Sequence, residues 1–116
     1  MTIIKRPQVV FNQVSTQTST SDWSHETVLV TWTATMRDGS ILNAANAEIA
    51  AAAAADGVKV IDSGPEMSKV HAVGDVVSLS AAVRGCVFNS AELVYTDAAA
   101  VPANLTGLAA NLNTFK

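Results

Sequence analysis

Aromatic side chains are scarce in this 116-residue chain: two Trp, three Phe and one Tyr, 5% of the total. A core with so few rings must rely on aliphatic residues, and alanine supplies much of the 49% apolar content. Such a core is thin in bulk, which lowers the stability of an isolated protomer and favours recovering burial by oligomerisation. Cysteine is nearly absent. Cys86 stands alone, so no disulfide can form within the chain, which argues against a stapled secreted scaffold and suits a reducing cytosol. Its neighbours Val87 and Phe88 predict a buried, inert thiol.

Long hydrophobic runs are missing too. The alanines from Ala50 to Ala55 lie between Glu48 and Asp56 and are too few and too weakly apolar for a membrane span. Lys5-Arg6 imitates the basic start of a signal peptide, but Pro7-Gln8 follows and the apolar run Val9 to Phe11 is short, so no leader is expected. Positive charge is sparse, with seven Lys and Arg against ten Asp and Glu for a net -3. No basic stripe with interleaved aromatics points to nucleic acid.

Catalytic groupings are equally thin. His25 lies between Ser24 and Glu26, but neighbours in an extended segment point to opposite faces, and no elbow or oxyanion motif accompanies them. His71 sits in a polar loop and reads as solvated. Two histidines and one cysteine at unrelated spacings do not form a zinc site, and Asp56-Gly57 and Asp75 form no calcium loop. The chain is therefore expected to be no enzyme, with no cofactor, no metal and no membrane or direct nucleic-acid partner.

What remains is a structural pattern of one domain's length. Val76 to Tyr95 is its spine. Val77, Leu79, Ala81 and Val83 alternate with Ser78, Ser80, Ala82 and Arg84, the pattern of a strand with one buried face. Gly85 interrupts, Cys86 to Phe88 resumes, and Asn89-Ser90 predicts a capped turn. Thr27 to Ala34 predicts another strand, with Val28, Val30, Trp32 and Ala34 on one face and Trp32 in the core. Arg37 to Ser40 predicts an Asp-Gly turn. Asn43 to Asp56 predicts an alanine-rich helix capped by Asn43 and stopped by Gly57. Val58 to Ile61 predicts a short strand. Pro102 opens a last helix with Leu105, Leu108, Ala109 and Leu112 as its docking stripe.

Residues 1–24 differ from the rest. Met1 to Val14 carries short apolar pairs around Lys5-Arg6-Pro7, and Ser15 to Ser24 is rich in Ser and Thr. This segment reads equally as a frayed terminus with a loop or as an extended arm that adds a strand to a partner's sheet. Trp23, in polar surroundings, is a candidate interface anchor. The fold class expected is α+β: a small β-rich domain over 25–116, sandwich- or barrel-like, with the alanine-rich helix, the C-terminal helix and the N-terminal arm.

The order of these parts resembles the head decoration proteins of tailed bacteriophages, the lambda-type small trimeric capsid proteins. The likeness centres on Val83-Arg84-Gly85-Cys86-Val87 and Ala91-Glu92-Leu93, and it spans Asp38 to Leu112. The resemblance implies a homotrimer on the outside of an expanded phage head in the virion, assembled in the host cytoplasm. Its partner would be the major capsid protein, stabilised against internal DNA pressure. By position, Thr2, Ile3, Ile4, Lys5, Arg6, Val9, Val10 and Phe11 would form the capsid-binding arm. The alternative is a β-rich carbohydrate- or receptor-binding module of a fibre or cell surface, with Trp23, Trp32 and Tyr95 as a stacking platform.

Overall fold

Period-two alternation becomes two-faced strands. The computed structural model describes residues 9–13, 24–63 and 71–116. Its strands are β1 (Val10–Gln13), β2 (His25–Thr31), β3 (Ile41–Leu42), β4 (Lys59–Ile61), β5 (Val76–Ala82), β6 (Cys86–Phe88) and β7 (Thr114–Phe115). Antiparallel pairing gives a four-stranded sheet in the order β2-β5-β4-β3. A second sheet has the order β1-β6-β7, with β1 antiparallel and β7 parallel to β6. This is the small β-rich α+β architecture that the pattern implied.

The alternation also sorts the core. In β2, Val28 and Val30 are buried while Thr27, Leu29 and Thr31 are exposed. In β5, Val77, Leu79 and Ala81 are buried and Ser78 is exposed. These inward residues join Met36, Leu42 and Ile61 in one apolar cluster. Ile41, Val60 and Ala82 point to the opposite face of the same sheet. There they meet Val9, Cys86, Phe88, Leu93, Tyr95, Leu105 and Leu108 in a second cluster that ties the two sheets together. The four-stranded sheet thus carries apolar packing on both faces, but over different parts of its width.

Two expected helices are much reduced. Asn43 caps no helix; its Oδ1 accepts from Ala45 and Ala47 N–H at 2.9 and 3.1 Å, closing a tight turn that pairs Leu42 with Glu48. An Asn side chain that satisfies nearby backbone in this way competes with helix formation. Only Ala51–Asp56 winds, as a 3₁₀ helix broken by non-helical geometry at Ala53, with its first N–H held by Asp97 Oδ1 at 2.9 Å. At the other end, a 3₁₀ turn over Pro102–Asn104 leads into α1 (Thr106–Ala109), a single turn. Leu105 and Leu108 are buried, as the stripe predicts, but Ala109 is exposed and Leu112 is 66% exposed at φ 64°. Leucine in left-handed geometry cannot continue the helix. The slim alanine turn lets α1 approach closely: a Cβ at Gly107 would lie 2.5 Å from the Gly57 carbonyl oxygen.

The strand from Thr27 ends at Thr31, and Trp32 is half-buried at the border of its cluster instead of inside it.

Candidate functional site

Around the spine, the local chemistry is that of a fastening. β5 ends at Ala82, and the chain turns at Gly85, whose N–H donates to the Asn111 carbonyl at 3.1 Å. Asn113 closes the turn from behind. Its Oδ1 accepts from Cys86 N–H at 3.0 Å, and its Nδ2 donates to the Val83 and Leu108 carbonyls at 2.8 and 2.9 Å. All three bonds are buried. Asn113 therefore joins β6, the end of β5 and α1. Its position after a helix-like pattern gave no sign of this role.

Cys86 is fully buried, with Sγ 3.4 Å from the Arg84 carbonyl. Burial pushes its thiol up to about 11, and the Asp62 charge adds to the effect. An inert thiol is the result. Downstream, Asn89 caps the Ser90–Glu92 3₁₀ turn through Ala91 N–H at 3.2 Å, as Asn89-Ser90 predicted. Arg84 pairs with Glu26 at 3.3 Å and Arg37 with Glu92 at 3.8 Å.

The predicted arm divides. Val9 is 1% exposed inside the core that ties the sheets, and its carbonyl accepts from Asn89 N–H at 2.7 Å. β1 follows at once, with Val10 opposite Phe88 and a bulge before Asn12. Val9, Val10 and the backbone of Phe11 thus belong to this chain's own sheet. Thr2, Ile3, Ile4, Lys5 and Arg6 lie outside the described residues, as does Trp23.

One polar constellation escaped the sequence. Ser24 Oγ lies 2.9 Å from His25 Nδ1, and His25 Nε2 lies 2.9 Å from Asp62 Oδ2. The expectation that Ser24 and His25 point apart fails because Ser24 sits just before β2, in a turn where alternation does not apply. An Nε2–H tautomer serves both contacts, donating to the carboxylate and accepting the serine hydroxyl proton. A nucleophile must reach its substrate, however, and Ser24 is 2% exposed. The geometry suits a strap between the start of β2 and the loop after β4.

The alternative stacking platform does not assemble from its described members. Tyr95 is buried in the cluster that ties the sheets, within 3.4 Å of Val101 backbone. Trp32 borders the other cluster and stacks, tilted by 48°, on His71 with ring centroids 4.6 Å apart. His71, expected to be solvated, is half-buried against this ring. Among the described residues no three His, Cys, Asp or Glu side chains gather as a metal site, and no helix is long and apolar enough to cross a membrane.

Neither the curated proteins nor the solved structures contain a match to this chain. A family profile does match, over residues 6–113, which includes the spine, the four-stranded sheet, β1, β6 and α1. On that near-complete match, the chain belongs to the bacteriophage PhiTE minor capsid decoration protein family.

Proposed function

We propose that the protein is a cement protein, binding the outer surface of an expanded phage head as a trimer and clamping neighbouring major capsid subunits against the pressure of packaged DNA. The observation that carries this reading is family membership across residues 6–113. The core, poor in rings, supports assembly into an oligomer, which recovers burial that a lone protomer lacks. The protein acts by binding, without turnover.

The clamp is the leading segment. Val9 is fixed in the core, so the residues ahead of it depart from a defined point on the body. Thr2, Ile3, Ile4, Lys5 and Arg6 add as a strand to a sheet edge of the shell, where main-chain bonds supply affinity and the alternating side chains specificity. Val9 and Val10 serve as its anchor, and Trp23 lies at the contact with the shell. Ordering a segment on binding offsets part of its interaction energy, leaving each arm with a few kcal/mol. Three arms on one trimer act together and raise avidity far beyond one.

Deleting Met1 to Arg6 tests this, since a longer deletion would remove Val9 and damage the fold. The expected product is a folded trimer by light scattering that no longer co-sediments with expanded heads. Undiminished co-sedimentation would rule out the arm, and a monomeric mass for the intact chain would rule out the trimer.

A further inference from the structure

Strand β2 forms one border of the four-stranded sheet. The Asp62 N–H donates to the Ser80 carbonyl at 3.0 Å, so even-numbered residues of β5 turn their backbone groups toward β4. Their opposites on β2 are Thr27, Leu29 and Thr31. In an antiparallel ladder these are the pairs without mutual hydrogen bonds, and their N–H and C=O groups point away from β5. Among the described residues no backbone hydrogen bond closes that row. From Thr27 to Thr33 the border has no charge, no proline and no bulge, the devices that normally keep an open edge from pairing.

Beside this border opens a groove of about 330 Å³, lined by Leu29, Thr31, Thr33, Asn46, Glu48 and Thr96. Leu29 is 64% exposed there, and Val76, diagonal to it, is 69% exposed. Glu48 holds only the hydroxyls of Thr33 and Thr35. Arg37, Lys59 and Arg84, by contrast, each face a carboxylate. An acid without a cation thus lies next to an unclosed row of backbone donors and acceptors.

We infer that the open border of β2 and its groove receive an extended segment of the major capsid subunit, added as a further strand, with an apolar side chain on Leu29 and a Lys or Arg on Glu48. The inference rests on the decoration reading. Charge complementarity selects the occupant: the β2 border of a second copy carries no Lys or Arg between Thr27 and Thr33 to answer Glu48. This contact is separate from the leading segment, since here the decoration protein supplies the accepting edge.

The test compares Leu29→Pro, Leu29→Lys and Glu48→Lys with the unaltered chain for co-sedimentation with undecorated, expanded heads. Proline at 29 removes an outward N–H and leaves the β5 ladder bonds in place. Should that variant fail to fold, Leu29→Lys at an exposed position and Glu48→Lys at a half-buried one carry the test. Each should weaken head binding at least about tenfold, as lost strand addition requires, and binding of the unaltered chain should fall with salt. Lys variants that bind heads normally would overturn the inference and leave the decoration reading intact. Failure of the unaltered chain to bind heads would overturn both. Dissociation of the oligomer by Glu48→Lys or by loss of Met1 to Arg6, measured by light scattering, would assign the groove to the leading segment of another copy and also overturn the inference.

Discussion

Gly39 and Gly74 share nearly the same φ, 97° and 98°, in opposite surroundings. Gly39 lies in the body. Its N–H donates to the Ile61 carbonyl at 2.8 Å, its carbonyl accepts from Val94 N–H at 3.1 Å, and buried Asp38 beside it accepts from Ser63 N–H. A Cβ there would fall 1.9 Å from the Glu92 carbonyl oxygen. Gly74 closes the far end of the β2–β5 ribbon, where an added Cβ would meet nothing within 4 Å and Val73 and Val76 face outward. In the body, the Gly39 turn is held from several sides. The ribbon is held along one ladder, and among the described residues its other border has no backbone partner, which is the freedom a contact surface needs.

The strongest challenge to this comparison is Gly39→Ala, which adds both a clash with backbone and an unfavourable φ. It should cost about 3–5 kcal/mol in urea unfolding, enough to prevent folding of a marginal domain. Asn113→Ala probes the body by polar satisfaction. It strands the buried Cys86 N–H and the Val83 carbonyl, while the Leu108 carbonyl keeps Asn111 N–H, and should cost about 2–3 kcal/mol. Gly74→Ala meets only the φ penalty, about 1–2 kcal/mol. A loss equal to that of Gly39→Ala would end the contrast between the two regions.

Leu112 sharpens the contrast from the other side, because it bears left-handed geometry within the body while its side chain faces outward. Leu112→Gly should therefore stabilise by about 0.5–1 kcal/mol, after the entropy of glycine is counted. The smallest effect belongs to Cys86. With its thiol at about 11 against 9.0 unperturbed, its thiolate fraction at pH 8 is about 100-fold lower, and maleimide labelling should slow at least that much relative to the urea-unfolded chain. The sign for stability follows: the folded state holds the proton more tightly, so this contribution is intact below pH 9 and is lost as pH rises through about 11.

Alternation made much of this legible. Val28 and Val30, Leu79 and Ala81, the break at Gly85 and the Asn89 cap all follow from period two and from local turn chemistry. The helices were less legible because alanine propensity says nothing about competition. Asn43 closed a turn on its own backbone, and Leu112 took a conformation that its side chain does not favour. The Ser24–His25–Asp62 strap joins residues 37 positions apart, and Asn113 reaches 30 positions back to Val83. Long-range polar partners of this kind leave no periodic trace. The family likeness was readable because it rests on the spine, but the openness of β2 among the described residues depends on tertiary placement that no local pattern records.

The parallel pairing of β7 to β6 has a practical consequence. Val10 and Phe115 both stand beside Phe88, so the chain enters the body and reaches Phe115 on either flank of one residue. A passenger domain fused after Lys116 would emerge next to the departure point of the leading residues. For particle display, such a cargo needs a spacer long enough to swing clear of β1 and β6, whereas an insertion at the exposed Val73-Gly74 tip starts from the end of the ribbon.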